Sequence, residues 1–231
     1  MPKVKRNKER ISKPKLLRLL SVLVLKFYTH TLMSFKVESK RKLPKGPRIF
    51  AVNHPTTADP FIIYSLYPNS KVLITEGVFN VKILGKILYR LGHIPVVKSN
   101  GKEAYNKAKE TLLDGKDIII FPEGKLSQDI HQTERIKTGI TRLALETGAT
   151  VIPIGINIRK EGIRNYKVKT KFGDTVISKW YLFNKYVVNI GNGIKIKGSV
   201  NNRRFVQKKS MYIQLQIQQL SRKYFFNTEK Q

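Results

Sequence analysis

Ile94-Pro95-Val96-Val97, then Asn100-Gly101-Lys102-Glu103 running on to Gly115, then Asp117-Ile118-Ile119-Ile120-Phe121, is the stretch that decides the fold. Two short apolar runs flank a helix-length segment that opens with a capping-box pattern and closes at a glycine. Strands joined through a helix require a crossover connection, so the pair is expected to lie parallel in a buried sheet. The same alternation continues outward. Upstream, Ile49–Val52 and Val72–Thr75 read as strands, with helices at Pro60–Leu66 and Val81–Leu91. Downstream come a helix at Thr138–Glu146 and a strand at Thr150–Ile156, then strands at Tyr166–Phe172 and Tyr186–Ile190 and a terminal helix at Phe205–Tyr224. The expected class is α/β, with a mainly parallel, mixed sheet flanked by helices.

The 231 residues suffice for one such domain plus an N-terminal appendage. Residues 1–18 hold eight Lys/Arg against one Glu; the apolar run Leu19–Leu25 follows and Lys26 ends it. A second run, Phe27–Phe35, contains His30 and ends at Lys36. Neither approaches the ~20 apolar residues of a spanning helix, and no small-residue cleavage site follows. Basic residues beside Leu, Phe and Tyr fit an amphipathic helical segment lying in a membrane interface, although a helix packed on the domain's own core gives the same pattern. The expected division is residues 1–45 as basic membrane-association segment and linker, and 46–231 as the globular domain. Formal net charge is +30, from 45 Lys+Arg and 15 Asp+Glu, and attracts polyanions. Nucleic acid, an anionic membrane surface, and an acidic carrier or phosphorylated substrate all satisfy it. With 41% hydrophobic and 10% aromatic residues the chain is not wholly disordered, and with no cysteine it has neither disulfides nor thiolate chemistry, which suits a cytosolic address.

Asn53-His54-Pro55-Thr56-Thr57-Ala58-Asp59 directly follows a strand. In open α/β sheets, ligands bind beyond the carboxyl ends of strands. A histidine with one ring nitrogen held by a carboxylate can take a proton from a hydroxyl through the other. Asp59-Pro60 also reads as an ordinary helix start, with aspartate at the N-cap and proline at the first helical position. Phe121-Pro122-Glu123-Gly124 follows another strand and would share that rim, Gly124 admitting close approach of a ligand and Lys125 meeting a phosphate. His30, His93 and His131 read as structural or solvated and Trp180 as core; no His/Asp/Glu group has metal-site spacing, and Gly191-Asn192-Gly193 reads as a tight turn.

Four blocks in order resemble the glycerolipid acyltransferase family, which includes bacterial 1-acyl-sn-glycerol-3-phosphate acyltransferases. Asn53, His54 and Asp59 match its Asn-His-x4-Asp block, Gly92 to Lys98 its Gly-x-Ile-x-Val-x-Arg block, Phe121 to Ser127 its Phe-Pro-Glu-Gly-Thr-Arg-Ser block, and Val151 to Ile154 its Val-Ile-Pro-Ile block. Lys137-Thr138-Gly139 resembles a further Lys-x-Gly helix start. The resemblance implies acyl transfer from a coenzyme A or acyl carrier protein thioester to the hydroxyl of a lysophospholipid such as 1-acyl-sn-glycerol-3-phosphate. His54 would be the general base and Asp59 its orienter; Asn53, Lys98, Glu123, Gly124, Lys125 and Lys137 would bind substrate. No metal or other cofactor is implied. The implied setting is the cytoplasmic face of a membrane, with peripheral or monotopic attachment. Lys125-Leu126 replaces the family's Thr-Arg and Lys98 its Arg, at positions the family uses for the acceptor's phosphate. Another lysolipid or an amphiphilic alcohol therefore stays open as acceptor, as does a family member that has lost activity. The competing class is a non-catalytic, basic nucleic-acid-binding protein, although the sequence holds no nucleic-acid motif.

Overall fold

The computed structural model describes residues 13–39, 42–127, 135–169 and 175–223. In chain order the helix α1 (Lys13–Thr31) leads to strands β1 (Ser34–Glu38) and β2 (Arg48–Val52), helix α2 (Asp59–Leu66) and strand β3 (Lys71–Thr75). Helices α3 (Glu76–Phe79) and α4 (Lys82–Leu91) precede β4 (Ile94–Val96), α5 (Gly101–Leu113), β5 (Ile118–Ile120), α6 (Gly139–Thr147) and β6 (Thr150–Asn157). A hairpin, β7 (Ile163–Lys169) and β8 (Thr175–Tyr181), precedes β9 (Lys185–Ile190) and α7 (Arg203–Arg222). Seven strands make one sheet in the order β1-β9-β6-β2-β5-β3-β4. β6, β2, β5, β3 and β4 are parallel, whereas β9 pairs antiparallel to β6 and β1 follows β9. The sheet is mainly parallel and mixed, as expected.

Burial explains the strand composition. Ile49 and Ala51 pack into one apolar layer and Phe50 and Val52 into the other, the period of two that a strand covered on both faces requires. Every residue of β6 is buried. α2, α3 and α4, with α1 over them, cover one face, and α5, α6 and α7 the other. α7 lies so close to β6 that a methyl group at Gly155 would come within 2.2 Å of Ser221 N, and the Asn157 and Asn189 side chains donate to the carbonyls of Ser221 and Leu220.

Three local readings change. The helix expected over Val81–Leu91 is α4, but the short α3 precedes it where no helix was expected. Asn100 makes no side-chain cap to the backbone; its amide donates to Glu103 Oε2 instead, and Gly115 takes the left-handed turn (φ 75°) after α5. The strand expected over Tyr166–Phe172 begins earlier, at Ile163; residues 170–174, Tyr224 and His131 lie outside the described residues.

The N-terminal stretch is joined to the domain. β1 is hydrogen-bonded to β9, and α1 places Val22, Leu25 and Tyr28 against the core. Its other side leaves Leu19, Leu20, Leu23, Val24 and Phe27 about half or more exposed. Among the described residues no helix is long and apolar enough to cross a membrane.

His93 is structural. It is buried, accepts a hydrogen bond from Val72 N at Nδ1 (3.1 Å) and meets the edge of Tyr64. Burial first, and then the nearby Lys71 ammonium, pushes its pKa down to about 4. Because the folded value is depressed, stability is full above the ordinary histidine value of ~6.5 and falls with pH below it, losing about 3 kcal/mol by pH 4. Chemical denaturation at pH 7 and pH 4 should show that loss, and His93→Gln should flatten it.

Candidate active site

β2 and β5 are parallel neighbours, with Ala51 opposite Ile120, so the segments leaving their carboxyl ends emerge side by side. The first carries His54, whose ring lies 4.3 Å from that of Phe121 on the second. His54 Nδ1 is 3.0 Å from Asp59 Oδ2, and the histidine side chain is 16% exposed while Asp59 is fully buried. A carboxylate only accepts hydrogen bonds, so the proton of this contact sits on Nδ1 and Nε2 is left as the basic nitrogen.

Asp59 is held on every side. Thr56 N donates to Oδ2 (2.7 Å), Thr56 Oγ1 donates to Oδ1, and the Tyr186 hydroxyl donates to Oδ1 (2.8 Å). With His54, four donors converge on one buried carboxylate, the arrangement that satisfies its oxygens and holds it immobile. Tyr186 is fully buried, and burial together with Asp59 raises its pKa well above the usual tyrosine value, so it remains a donor. The helix-cap reading is thereby corrected. Ala58 is the N-cap of α2, Asp59 and Pro60 are its first two residues, and the Asp59 carboxylate turns back to Thr56 and His54.

The second loop is tied to the first at Ser127. Ser127 N donates to the His54 carbonyl (2.8 Å) and Ser127 Oγ to Glu123 Oε2 (3.0 Å), both residues of that pair being buried. Gly124 has φ 71°, a left-handed conformation that disfavours any side chain. A methyl group there would lie 3.0 Å from Lys137 Nζ, so the Lys137 ammonium stands over this turn, and Lys137 N donates to the Pro122 carbonyl. Lys125 is exposed within the same turn. Asn53 is buried with both ends of its amide bonded to the backbone of Ile156 (3.0 and 2.6 Å), which fixes the strand end from which His54 departs. Lys98 is exposed just beyond β4, on the same rim but three strands from β2, roughly 14 Å at ordinary strand spacing. The structure thus gathers His54, Asp59, Asn53, Glu123, Gly124, Lys125 and Lys137, and sets Lys98 apart.

Sequence reading missed Thr56, Ser127, Tyr186 and Lys179. Ser127 stood inside a quoted block, and a threonine three residues before an aspartate is a local turn signal. Nothing marked Tyr186, which reaches Asp59 from 127 residues away. Tyr186→Phe deletes one of the two donors to Oδ1 and keeps the ring. We expect a loss of about tenfold in kcat with a fold unchanged by circular dichroism; an undiminished kcat would remove Tyr186 from the support of the site.

The family model described as Acyltransferase matches residues 34–157. A chloroplastic 1-acyl-sn-glycerol-3-phosphate acyltransferase of Arabidopsis thaliana is 26% identical over 139 residues, 58% of this chain and 37% of that protein. A lyso-ornithine lipid O-acyltransferase of Pseudomonas aeruginosa is 26% identical over 136 residues, covering 57% and 51%. The matched stretches thus span about half or less of these relatives' lengths. The crystal structure of the 1-acyl-sn-glycerophosphate acyltransferase of Thermotoga maritima superposes with a TM-score of 0.61 at 19% identity, covering 87% of this chain and 76% of that one, which shows a shared fold.

Proposed function

The chain belongs to the acyltransferase family, and on that premise we propose that it moves a fatty acyl group from a thioester donor to the hydroxyl of a lysophospholipid-like acceptor, with His54 as general base. The observation that carries the reading is the Asp59-bound His54, part-exposed at the rim where the Phe121–Ser127 loop also emerges. His54 Nε2 accepts the hydroxyl proton as the acceptor oxygen bonds to the thioester carbonyl carbon. The tetrahedral intermediate then collapses, the C–S bond breaks, and the imidazolium proton goes to the departing thiolate. Asp59 stabilises the imidazolium between these steps. The donor is coenzyme A or acyl carrier protein, and the histidine chemistry is the same for either. Glu123, Gly124, Lys125 and Lys137 line the acceptor side; Asn53 acts by holding the end of β2.

The acceptor is a lysolipid of wider identity than lysophosphatidic acid. Two observations favour this: Leu126 stands where the resembled block has arginine, and one relative is named for a lyso-ornithine lipid. The outward apolar side of α1 and the 73%-exposed Phe183, whose N–H donates to the Leu32 carbonyl just past α1, suit peripheral attachment to the cytoplasmic face of a membrane. The residues up to 45 supply most of that attachment, with Phe183 beside them, and the remainder supplies the chemistry. The test is incubation of the purified full chain with labelled acyl-coenzyme A or acyl carrier protein and a panel of lysolipids, with products identified by mass. Transfer to at least one lysolipid is the expected result; no transfer to any, with salt-resistant RNA or DNA binding instead, would replace the enzyme reading.

A further inference from the structure

The β7–β8 hairpin lies beyond the segment matched by the family model, yet it is bolted to the site. Thr57 N donates to the Lys179 carbonyl (2.8 Å) and Lys179 N to Thr57 Oγ1 (2.9 Å), so β8 is hydrogen-bonded to the loop between His54 and Asp59. The Lys179 side chain, part-buried, extends to the second loop, where Nζ donates to the Ser127 carbonyl (3.3 Å). That serine is the one whose N–H is bonded to His54. The Gly124–Ser127 turn therefore has an ammonium at each end, Lys137 at Gly124 and Lys179 at Ser127, with Lys125 between them and the apolar Leu126 next to it.

We propose that Lys179 is a specificity-determining residue that binds the anionic, phosphate-type headgroup of the acyl acceptor, supplying from the hairpin the positive charge that Leu126 does not. Two features select Lys179 from the many lysines of the chain. Its backbone N–H and carbonyl are both held by Thr57 and its Nζ rests on the Ser127 carbonyl, so the side chain spans from the loop that carries His54 to the second loop. One long carbonyl contact leaves the other N–H donors of the ammonium available, and among the described residues no carboxylate lies within 4.0 Å to neutralise it. An ammonium in that place meets a phosphomonoester as a point charge, tolerant of headgroup shape in a way a bidentate guanidinium is not.

The inference rests on the acyl-transfer reading, and its test separates the two. Full-length wild type, Lys179→Ala, Lys179→Arg and Lys208→Ala, an exposed α7 lysine that controls for lost net charge, are assayed with 1-acyl-sn-glycerol-3-phosphate and with uncharged monoacylglycerol in mixed micelles. Binding of 1-acyl-sn-glycerol-3-phosphate without donor is measured in parallel by calorimetry. Lys179→Ala should raise KM for the anionic acceptor about tenfold, lower the anionic-over-neutral preference in kcat/KM by a similar factor and weaken binding, with Lys179→Arg restoring most of each and Lys208→Ala matching wild type. The proposal is overturned if the preference is unchanged, if Lys208→Ala lowers it equally, or if only the KM for acyl-coenzyme A rises. If wild type transfers to neither of these acceptors nor to any lysolipid of the panel above, the enzyme reading fails on its own; weakened binding in Lys179→Ala would still uphold the anion site, and unweakened binding would end both.

Discussion

His54→Ala is expected to lower kcat for acyl transfer by about a thousandfold or more, while binding of the protein to anionic vesicles stays at the wild-type level. The size follows from its position as a part-exposed base at the rim whose tautomer is fixed. Nδ1 is committed to Asp59, so in the proposed mechanism Nε2 is the atom that takes the hydroxyl proton and returns it to the thiolate, and the variant removes the proton carrier of both steps together. The vesicle measurement separates chemistry from placement, because the outward apolar residues of α1 are untouched by the change. Retention of most activity would take His54 out of the reaction.

Asp59→Asn should come close to the same loss, roughly 10²- to 10⁴-fold in kcat, with a near-isosteric side chain. The reason is donor and acceptor arithmetic. Four donors point at this carboxylate, from His54, Thr56 N, Thr56 Oγ1 and Tyr186, and an asparagine brings an NH2 group of its own into their midst. If its NH2 faces His54, the ring must present a bare Nδ1 and put its proton on Nε2, the wrong tautomer for a base. If its NH2 faces Tyr186 and Thr56 Oγ1, two donors in a buried site lose their acceptor, and the protein loses stability. Rate measurements and thermal unfolding on the same sample distinguish these arrangements. A kcat within threefold of wild type would show that the His54–Asp59 contact does not serve the reaction.

The parallel heart of the fold was open to sequence reading because burial on both faces forces near-continuous apolar strands, and β2, β3, β5 and β6 are such runs. β1 escaped because an edge strand need not be apolar; Ser34, Lys36 and Val37 are exposed and its neighbours in sequence are basic. β8 escaped because Ser178, Lys179 and Trp180 break any simple alternation in a two-stranded hairpin. Within the site, contacts a few residues apart were legible as motif, and even there Asp59 admitted a second meaning as a cap until its partners were seen. Contacts made across the fold, those of Tyr186 and Lys179, depend on which strand lies beside which loop, and spacing in sequence carries no record of that.

The reversed pair β9 and β1 gives the site a place in time. β1 is made well before β9, yet among the described residues β9 is the strand it pairs with, and Asp59 likewise waits for Tyr186 on that same strand. When Asn157 has just been added, the nascent chain already contains every block of the motif set, with its base still missing a support. At ribosomal speeds of roughly 5–20 residues per second, the gap between Asn157 and Ile190 is a few seconds, so the strand that carries Tyr186, and not the motif blocks, decides when the site is complete.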